Sequence, residues 1–347
     1  MRIQKVNTIL NNTKEWIKYP YRFSFEKIAL DLYDLHRLHN KNYRKYSIGK
    51  LDDWRKIPLA PASQFSKRKM QLSETLGVLP VNSMEFISKG EKPKHHLLRD
   101  TEFLRASIYN NFSYNILNID GIPSNRMVFI DNKKSNSILS YMYEYLSTLY
   151  DFRGVYEYLN PLDPVAVKEF MESTSDQQLE PLIIIGTPNL FYDLKLTVDT
   201  LDVNSIVNTS AGVPTIIQFG DYIELSKMDL TLYELNDWLT KFFHTSLNDI
   251  IQVYYSTELS SQLFRWGENL SYMIPHTVSV RVLNPDTGEE MGPGVEGNLA
   301  FIDTANVWSC PFIISDDLGV MYNNNNAVQI IRKSNEILRT GVNPRPN

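Results

Sequence analysis

Three stretches of this chain place hydrogen-bonding and charged side chains at the end of an apolar run. The first, Ile250-Ile251-Gln252-Val253-Tyr254-Tyr255-Ser256-Thr257-Glu258, closes on two hydroxyls and a carboxylate. Ile, Val and Tyr suit a packed pleated surface, so the run reads as a buried strand. Polar groups delivered at the carboxyl end of a buried strand are how an open α/β sheet presents a site to a ligand. Taken alone, the same pattern is a strand entering a Ser/Thr turn. The second stretch, Phe312-Ile313-Ile314-Ser315-Asp316-Asp317-Leu318-Gly319, adds weight to the ligand reading, because it is another apolar run ending in carboxylates and a glycine. The third is Met84-Glu85-Phe86-Ile87-Ser88-Lys89-Gly90-Glu91-Lys92-Pro93-Lys94-His95-His96. Its Ser88, Gly90 and three lysines could meet phosphates through backbone N–H groups and cations. It lacks the spacing of a phosphate loop, and without context it is an exposed charged turn.

Other reactive side chains carry less. His36 and His39 stand at i, i+3 on a predicted helix and could ligate a metal, but no third ligand is evident, and a solvated helix end is the expectation. The single cysteine, Cys310, rules out an internal disulfide framework and any multi-cysteine zinc site. Set in Ser309-Cys310-Pro311-Phe312, it reads as a small packed residue rather than a nucleophile.

Composition bounds the rest. The 347 residues suffice for a large core, with 43% hydrophobic and 22% charged residues in ordinary globular proportion. A net charge of -5 argues against a general nucleic-acid surface. No segment approaches the roughly 20 apolar residues of a membrane span. Met1-Arg2-Ile3-Gln4-Lys5 runs into polar Asn and Thr rather than a signal-peptide core. A soluble, cytoplasmic protein is the economical expectation.

The elements that must position these groups follow from periodicity. Helices are predicted over residues 23–38, capped by Ser24, and over 101–115 and 135–150. Strands are predicted at 127–130, at 181–188 as a run covered on both faces, and at 205–207 and 213–220. Residues 57–65, with Pro58 and Pro61, are expected to follow an extended, loop-like path. Strand alternating with helix predicts a largely parallel sheet with covering helices. Residues 277–283 and 297–302, around the turn at 284–288, predict an antiparallel hairpin, and Asn323 to Asn326 a hairpin turn.

In order along the chain, several of these stretches resemble the LuxE-type acyl-protein synthetases, a family of adenylate-forming ligases. Residues 57–65 are similar to the family's Ile-Pro-x-x-Pro-x-Ser-x-Phe segment. Phe86-Ile87-Ser88-Lys89-Gly90, with His96 and Asp100 after it, sits where the family carries a phosphate loop and a following histidine. Tyr255-Ser256-Thr257-Glu258 resembles Gly-x-Thr-Glu, and the stretch from Leu299 to Gly319, ending in Asp317-Leu318-Gly319, is the nearest match. The resemblance implies an α/β fold: an adenylate-forming-ligase-like N-terminal domain with mixed sheets and covering helices, and a C-terminal domain reduced or absent. It sets residues 1–319 as that domain, with a helical segment over 1–56, and 320–347 as a short tail. It also implies ATP and Mg as cofactors. Thr257, Glu258 and His96 would be catalytic, with Glu258 at the metal. Ser88, Lys89, Gly90, Lys92, Ser256, Asp317 and Arg332 would hold the nucleotide, Asp317 at the ribose hydroxyls. A carboxylic acid would be activated as acyl-adenylate for a protein or thiol acceptor.

The chain also departs from the pattern. Ser88-Lys89-Gly90-Glu91-Lys92-Pro93 stands where the family has Ser-Ser-Gly-Thr-Thr-Gly, so threonine hydroxyls are lost, a carboxylate arrives, and Pro93 brings no N–H. Either Lys89, Lys92 and Lys94 compensate by bringing positive charge, or the loop no longer holds phosphate. Gln218-Phe219-Gly220-Asp221 keeps one glycine of a further loop, and the acyl-accepting cysteine position falls on Gly341. The enzyme reading therefore stands beside a second one, an impaired homologue that keeps the fold for binding or partnering. A third is an unrelated α/β nucleotide binder.

Overall fold

The computed structural model describes residues 3–67, 70–72, 84–88, 93–113, 126–131, 138–149, 156–176, 182–201, 213–220, 230–322 and 326–333. Helix α1 (Ile3–Lys18) buries Val6, Ile9, Leu10, Thr13, Trp16 and Ile17, one helical face. Helix α2 (Phe25–His39) starts where the Ser24 hydroxyl accepts from the Lys27 N–H. Three short strands and a turn of helix follow: β1 (Ala60–Pro61), α3 (Gln64–Lys67), then β2 (Met84–Ile87) and β3 (His95–Leu98), the last two pairing as a hairpin. An alternating run comes next: α4 (Glu102–Phe112), β4 (Arg126–Ile130), α5 (Ile138–Leu149), β5 (Tyr156–Leu159), α6 (Pro164–Asp176), β6 (Leu182–Gly186), α7 (Pro188–Thr200), β7 (Thr215–Phe219), α8 (Leu232–Phe243) and β8 (Ile250–Tyr254). The remainder is strand: β9 (Leu263–Trp266), β10 (Tyr272–Met273), β11 (Val278–Leu283), β12 (Glu296–Asp303), β13 (Phe312–Tyr322) and β14 (Ala327–Lys333).

Among the described residues, twelve of these strands form one sheet in the order β11-β12-β13-β14-β10-β9-β8-β7-β6-β4-β5, with β1 alongside β13. The segment from β5 to β8 is parallel. From β8 onward to β11 every pairing is antiparallel. The division has a chain-level cause: helices connect the strands of the parallel half, as parallel crossovers require, whereas loops without helices connect successive strands of the antiparallel half. Alternate residues of the parallel strands go to opposite cores. Val128, Ile130, Ile184 and Ile216 meet α6, α7 and α8. Met127, Phe129, Ile183 and Ile185 face the larger core that also takes α1, α2, α4 and α5. The expected mixed α/β architecture with covering helices is the one observed.

Four expectations need correction. His36 is not a solvated helix end but fully buried, its Nε2 3.1 Å from the Val307 carbonyl and its Nδ1 3.1 Å from the Asn40 amide. The helix stripe that buries Leu32 and Leu35 carries His36 into the same core, where two local partners satisfy its ring. Residues 57–65 are not loop throughout, because Ala60 and Pro61 pair in parallel with Ile313 and Ile314, and α3 begins at Gln64. Pro61 is tolerated there because this two-residue strand pairs only with β13. Asp316 and Asp317 do not end a strand: β13 runs through them to Tyr322. Finally, residues 320–333 are not a tail, since they complete β13 and form β14, which lies between β13 and β10 in the sheet. Residues 205–207, 323–325 and Gly341, which figured in the expectations, lie outside the described residues.

Candidate active site

The site residues are placed by a bulge on β13 and a turn after β8. On one side of the bulge Ala300 faces Ile314, and on the other Asn298 faces Leu318. One β12 residue therefore spans what takes Ser315, Asp316 and Asp317 on β13. Extra residues in one strand of a pair bend it and re-aim its side chains, which is how a polar triplet leaves the apolar alternation of β13. Gly319 belongs to the same device. A Cβ there would lie 2.5 Å from the Gln329 carbonyl oxygen and 2.7 Å from a Leu299 methyl, so only glycine lets β12, β13 and β14 close past the bulge.

Asp317 is 7% exposed, and its Oδ2 accepts the Tyr254 hydroxyl at 2.7 Å and the Ser315 hydroxyl at 3.0 Å. Burial, and then the nearby Asp317 charge, push the Tyr254 hydroxyl well above its ordinary pKa, so it remains a donor. Tyr254 is the last residue of β8, which ties the two apolar stretches together at this point. Glu258 is 3% exposed; one carboxylate oxygen accepts the Ser256 hydroxyl and the other is ion-paired with Lys94. The Lys94 ammonium also meets Asp316 Oδ2 at 2.7 Å. Burial disfavours that ammonium, but the Glu258 and Asp316 carboxylates more than offset it and raise the pKa above the usual lysine value.

Lys94 itself is fixed at the neck of the β2–β3 hairpin. Its N–H donates to the Ser88 hydroxyl at 2.8 Å, and the Ser88 N–H donates to its carbonyl at 3.0 Å. Two residues later His96 is fully buried, with Nε2 2.9 Å from Asn306 Oδ1. The Asn306 amide nitrogen donates to the carbonyls of Glu258 at 2.7 Å and Cys310 at 3.0 Å. Those two bonds fix the amide orientation, so its oxygen must accept and His96 Nε2 must carry the proton. Burial depresses the His96 pKa to about 4, although Asn306, Glu258 and the backbone at Thr257 pull the other way. Beneath, the Asp303 carboxylate accepts the N–H groups of Ser260, Ser261 and Ala305 and the Ser261 hydroxyl, at 2.7 to 3.1 Å. This carboxylate shapes the turn that carries residues 255–262.

Of the residues assigned from sequence, Ser88, His96, Ser256, Thr257, Glu258 and Asp317 thus belong to one neighbourhood. Lys89, Gly90 and Lys92 lie outside the described residues. Arg332 sits on β14, its backbone opposite Leu318 and one position from the Asp317–Lys333 pair. The assignment passed over Lys94, Asp316, Tyr254 and Asn306. Lys94 was visible as one of three loop lysines, but only the fold shows that it meets Glu258 and Asp316. Cys310 is fully buried with its thiol 3.6 Å from the Phe312 carbonyl, and burial pushes its pKa up to about 12. No group of three or more His, Cys, Asp or Glu is arranged to hold a metal ion among the described residues, nor is any described helix long and apolar enough to cross a membrane.

A sheet with a parallel half and an antiparallel half, covered by helices, is a fold this chain shares with adenylate-forming ligases. The chain is similar to a 2-hydroxyisobutyryl-CoA ligase solved with 2-HIB-AMP and CoA, with a TM-score of 0.63 at 11% identity, over 89% of this chain and 68% of that one. It is similar also to ATP-bound MatB from Rhodopseudomonas palustris, with a TM-score of 0.51 at 15% identity, over 72% of this chain and 47% of that one. It thus spans about half the length of MatB. The profile of the acyl-protein synthetase, LuxE, family matches residues 115–344, and the chain belongs to that family. A long-chain-fatty-acid–luciferin-component ligase of Aliivibrio fischeri is 22% identical over 329 residues, 90% of this chain and 83% of that protein.

Proposed function

We propose that the protein is an ATP-dependent ligase that activates a carboxylic acid as its acyl-adenylate and passes the acyl group to an external protein or thiol acceptor. The observation that carries this reading is the half-buried charge cluster of Lys94, Glu258 and Asp316 beside Asp317, in a chain of the acyl-protein synthetase family. In the first step a carboxylate oxygen of the acid bonds to the α-phosphorus of ATP, the bond from that phosphorus to the bridging oxygen breaks, and pyrophosphate leaves. In the second, the acceptor nucleophile attacks the acyl carbon and AMP leaves.

Each residue then has a physical task. Asp317, oriented by the Tyr254 and Ser315 hydroxyls, accepts from the ribose hydroxyls. The hydroxyls of Ser88, Ser256 and Thr257 would meet the phosphates, and the family resemblance adds Lys89, Gly90, Lys92 and Arg332 to that task. Glu258 fits a magnesium ion, which takes one or two carboxylates with the remainder of its shell from phosphate and water. The fit is visible in the donor set, for Glu258 already has a cationic group on its carboxylate. Bound there, the metal supplies charge neutralisation on the phosphates. His96, neutral above about pH 4, holds the Asn306 amide that in turn holds the Glu258 carbonyl; this is positioning rather than proton transfer.

ATP–pyrophosphate exchange across a panel of carboxylic acids, run beside nucleotide-binding calorimetry, tests the reading. Exchange that depends on one acid class is the expected result. Nucleotide binding by neither method replaces it with the second reading, a homologue that keeps the fold as a binding partner. That reading draws on Glu91 and Pro93 in the phosphate-facing loop. Asp317→Ala should weaken ATP binding about ten- to a hundredfold, the loss of one or two charge-assisted hydrogen bonds. Unchanged affinity in that variant would remove Asp317 from the nucleotide site.

A further inference from the structure

The Lys94 ammonium sits where the ligase reading needs a divalent cation. It contacts one oxygen of Glu258 and one of Asp316, with the Glu258 side chain 4% exposed and that of Lys94 21% exposed. A carboxylate this deeply buried requires a positive partner, and here the chain supplies its own. A second cation on the Glu258 carboxylate would meet the Lys94 ammonium at close range, and like charges in a half-buried site repel. The lysine backbone is pinned by its two hydrogen bonds with Ser88, whereas its head rides on a flexible four-carbon stem. The head can therefore leave the carboxylates while the hairpin neck stays in place.

We infer that Lys94 is the resident counter-cation of Glu258 and Asp316, that a divalent ion enters only by displacing it, and that the displaced ammonium turns onto the nucleotide phosphates. The inference rests on the ligase reading for its last step alone. Lys94 is then a positioning residue that sets the cation requirement: bare metal binds weakly, because it must displace the ammonium unaided, and metal that arrives with phosphate binds more tightly, because phosphate gives the ammonium a new partner. The exchange involves no proton, since Lys94 stays charged at working pH.

The test uses Mn2+ alone as probe, with the full chain and no nucleotide, read by calorimetry and by the electron paramagnetic signal of free Mn2+. Lys94→Met, which keeps the stem and removes the charge, should bind Mn2+ about tenfold tighter or better than the unmutated chain. Lys94→Gln, a polar replacement, should show the same gain if the methionine variant does not fold. Adding Glu258→Gln to either should abolish the gain. Equal Mn2+ affinity with and without Lys94, or a gain that survives Glu258→Gln, overturns the proposal. If both variants fail to fold, reductive methylation of the unmutated chain with peptide mapping reads the same exchange. Saturating Mn2+ should speed labelling of Lys94, and an unchanged rate overturns the proposal. Failure of the ligase reading looks different: the Mn2+ gain would persist in a protein that never catalyses pyrophosphate exchange. Failure of this inference alone would leave exchange intact and the Mn2+ affinities equal.

Discussion

Protonation of the buried histidines and the cysteine is decided by burial. His36 and His96 have folded-state pKa values lowered to about 3 and about 4 from 6.5, in each case chiefly because burial disfavours the imidazolium. Below about pH 6.5 the unfolded chain therefore binds more protons than the native one. The stability these residues lend is complete above that pH and is lost as pH falls toward 4 and 3. At pH 5 the loss should be on the order of 1–2 kcal/mol for each histidine. Urea midpoints compared at pH 7 and pH 5 would show it, and a His36→Asn, His96→Asn chain should have a flatter dependence. The thiol of Cys310 obeys the same physics with the opposite sign, since burial raises its pKa to about 12 and leaves little thiolate at neutral pH. An aromatic disulfide reagent should leave the native protein unmodified and titrate one thiol in denaturant. Incubation with ATP and a cognate acid should yield no hydroxylamine-sensitive adduct by intact mass.

At the scale of elements, two local devices aim the site. One is the turn after β8, organised by Asp303. Replacing Asp303 by Ala would leave the N–H groups of Ser260, Ser261 and Ala305 buried without their acceptor. Loss of about 3 kcal/mol in urea unfolding is expected, with a range of roughly 2–5 kcal/mol. A loss under 1 kcal/mol would mean that water or a neighbour takes over as acceptor. The other device is the bulge at residues 315–317, closed by Gly319. Gly319→Ala puts a methyl against the Gln329 carbonyl and Leu299. The cost should be about 1–3 kcal/mol, as for an overpacked core position. That variant should lose nucleotide affinity along with stability, because Asp317 rides on the same strand.

Across the whole molecule, the parallel and antiparallel halves are one sheet, and β14 lies inside it rather than at its edge. A chain ending after Tyr322 would leave β13 and β10 with unpaired ladders and remove buried Val328 from the core. Such a truncation should fail to give a cooperative thermal transition and should accumulate as insoluble protein. A soluble, cooperatively melting product would show that the sheet tolerates the gap.

Much of this architecture is legible along the chain, because period and run length are local properties. The continuous run Leu182–Gly186 announces a strand buried on both faces, and alternation over Val278–Leu283 announces an antiparallel one. Ser24 marks the start of α2 for an equally local reason, since its hydroxyl needs only the N–H three residues on. The motif types were legible too: Ser-Thr-Glu after an apolar run, carboxylates before a glycine, and lysines around Ser88. What no local pattern contains is which partner a side chain meets. Lys94 is 164 positions from Glu258 and 222 from Asp316, and the hairpin neck at Ser88 is what brings it to them. His36 looked like a helix-end histidine until Val307, 271 residues away, closed over it. Asp317 looked like the end of a strand because a bulge and an interruption read alike in one dimension, and only pairing with β12 and β14 tells them apart. Composition and periodicity set where the chain is buried; the buried charges find their counter-charges only when the sheet closes, because that match is a property of distance in space and not along the sequence.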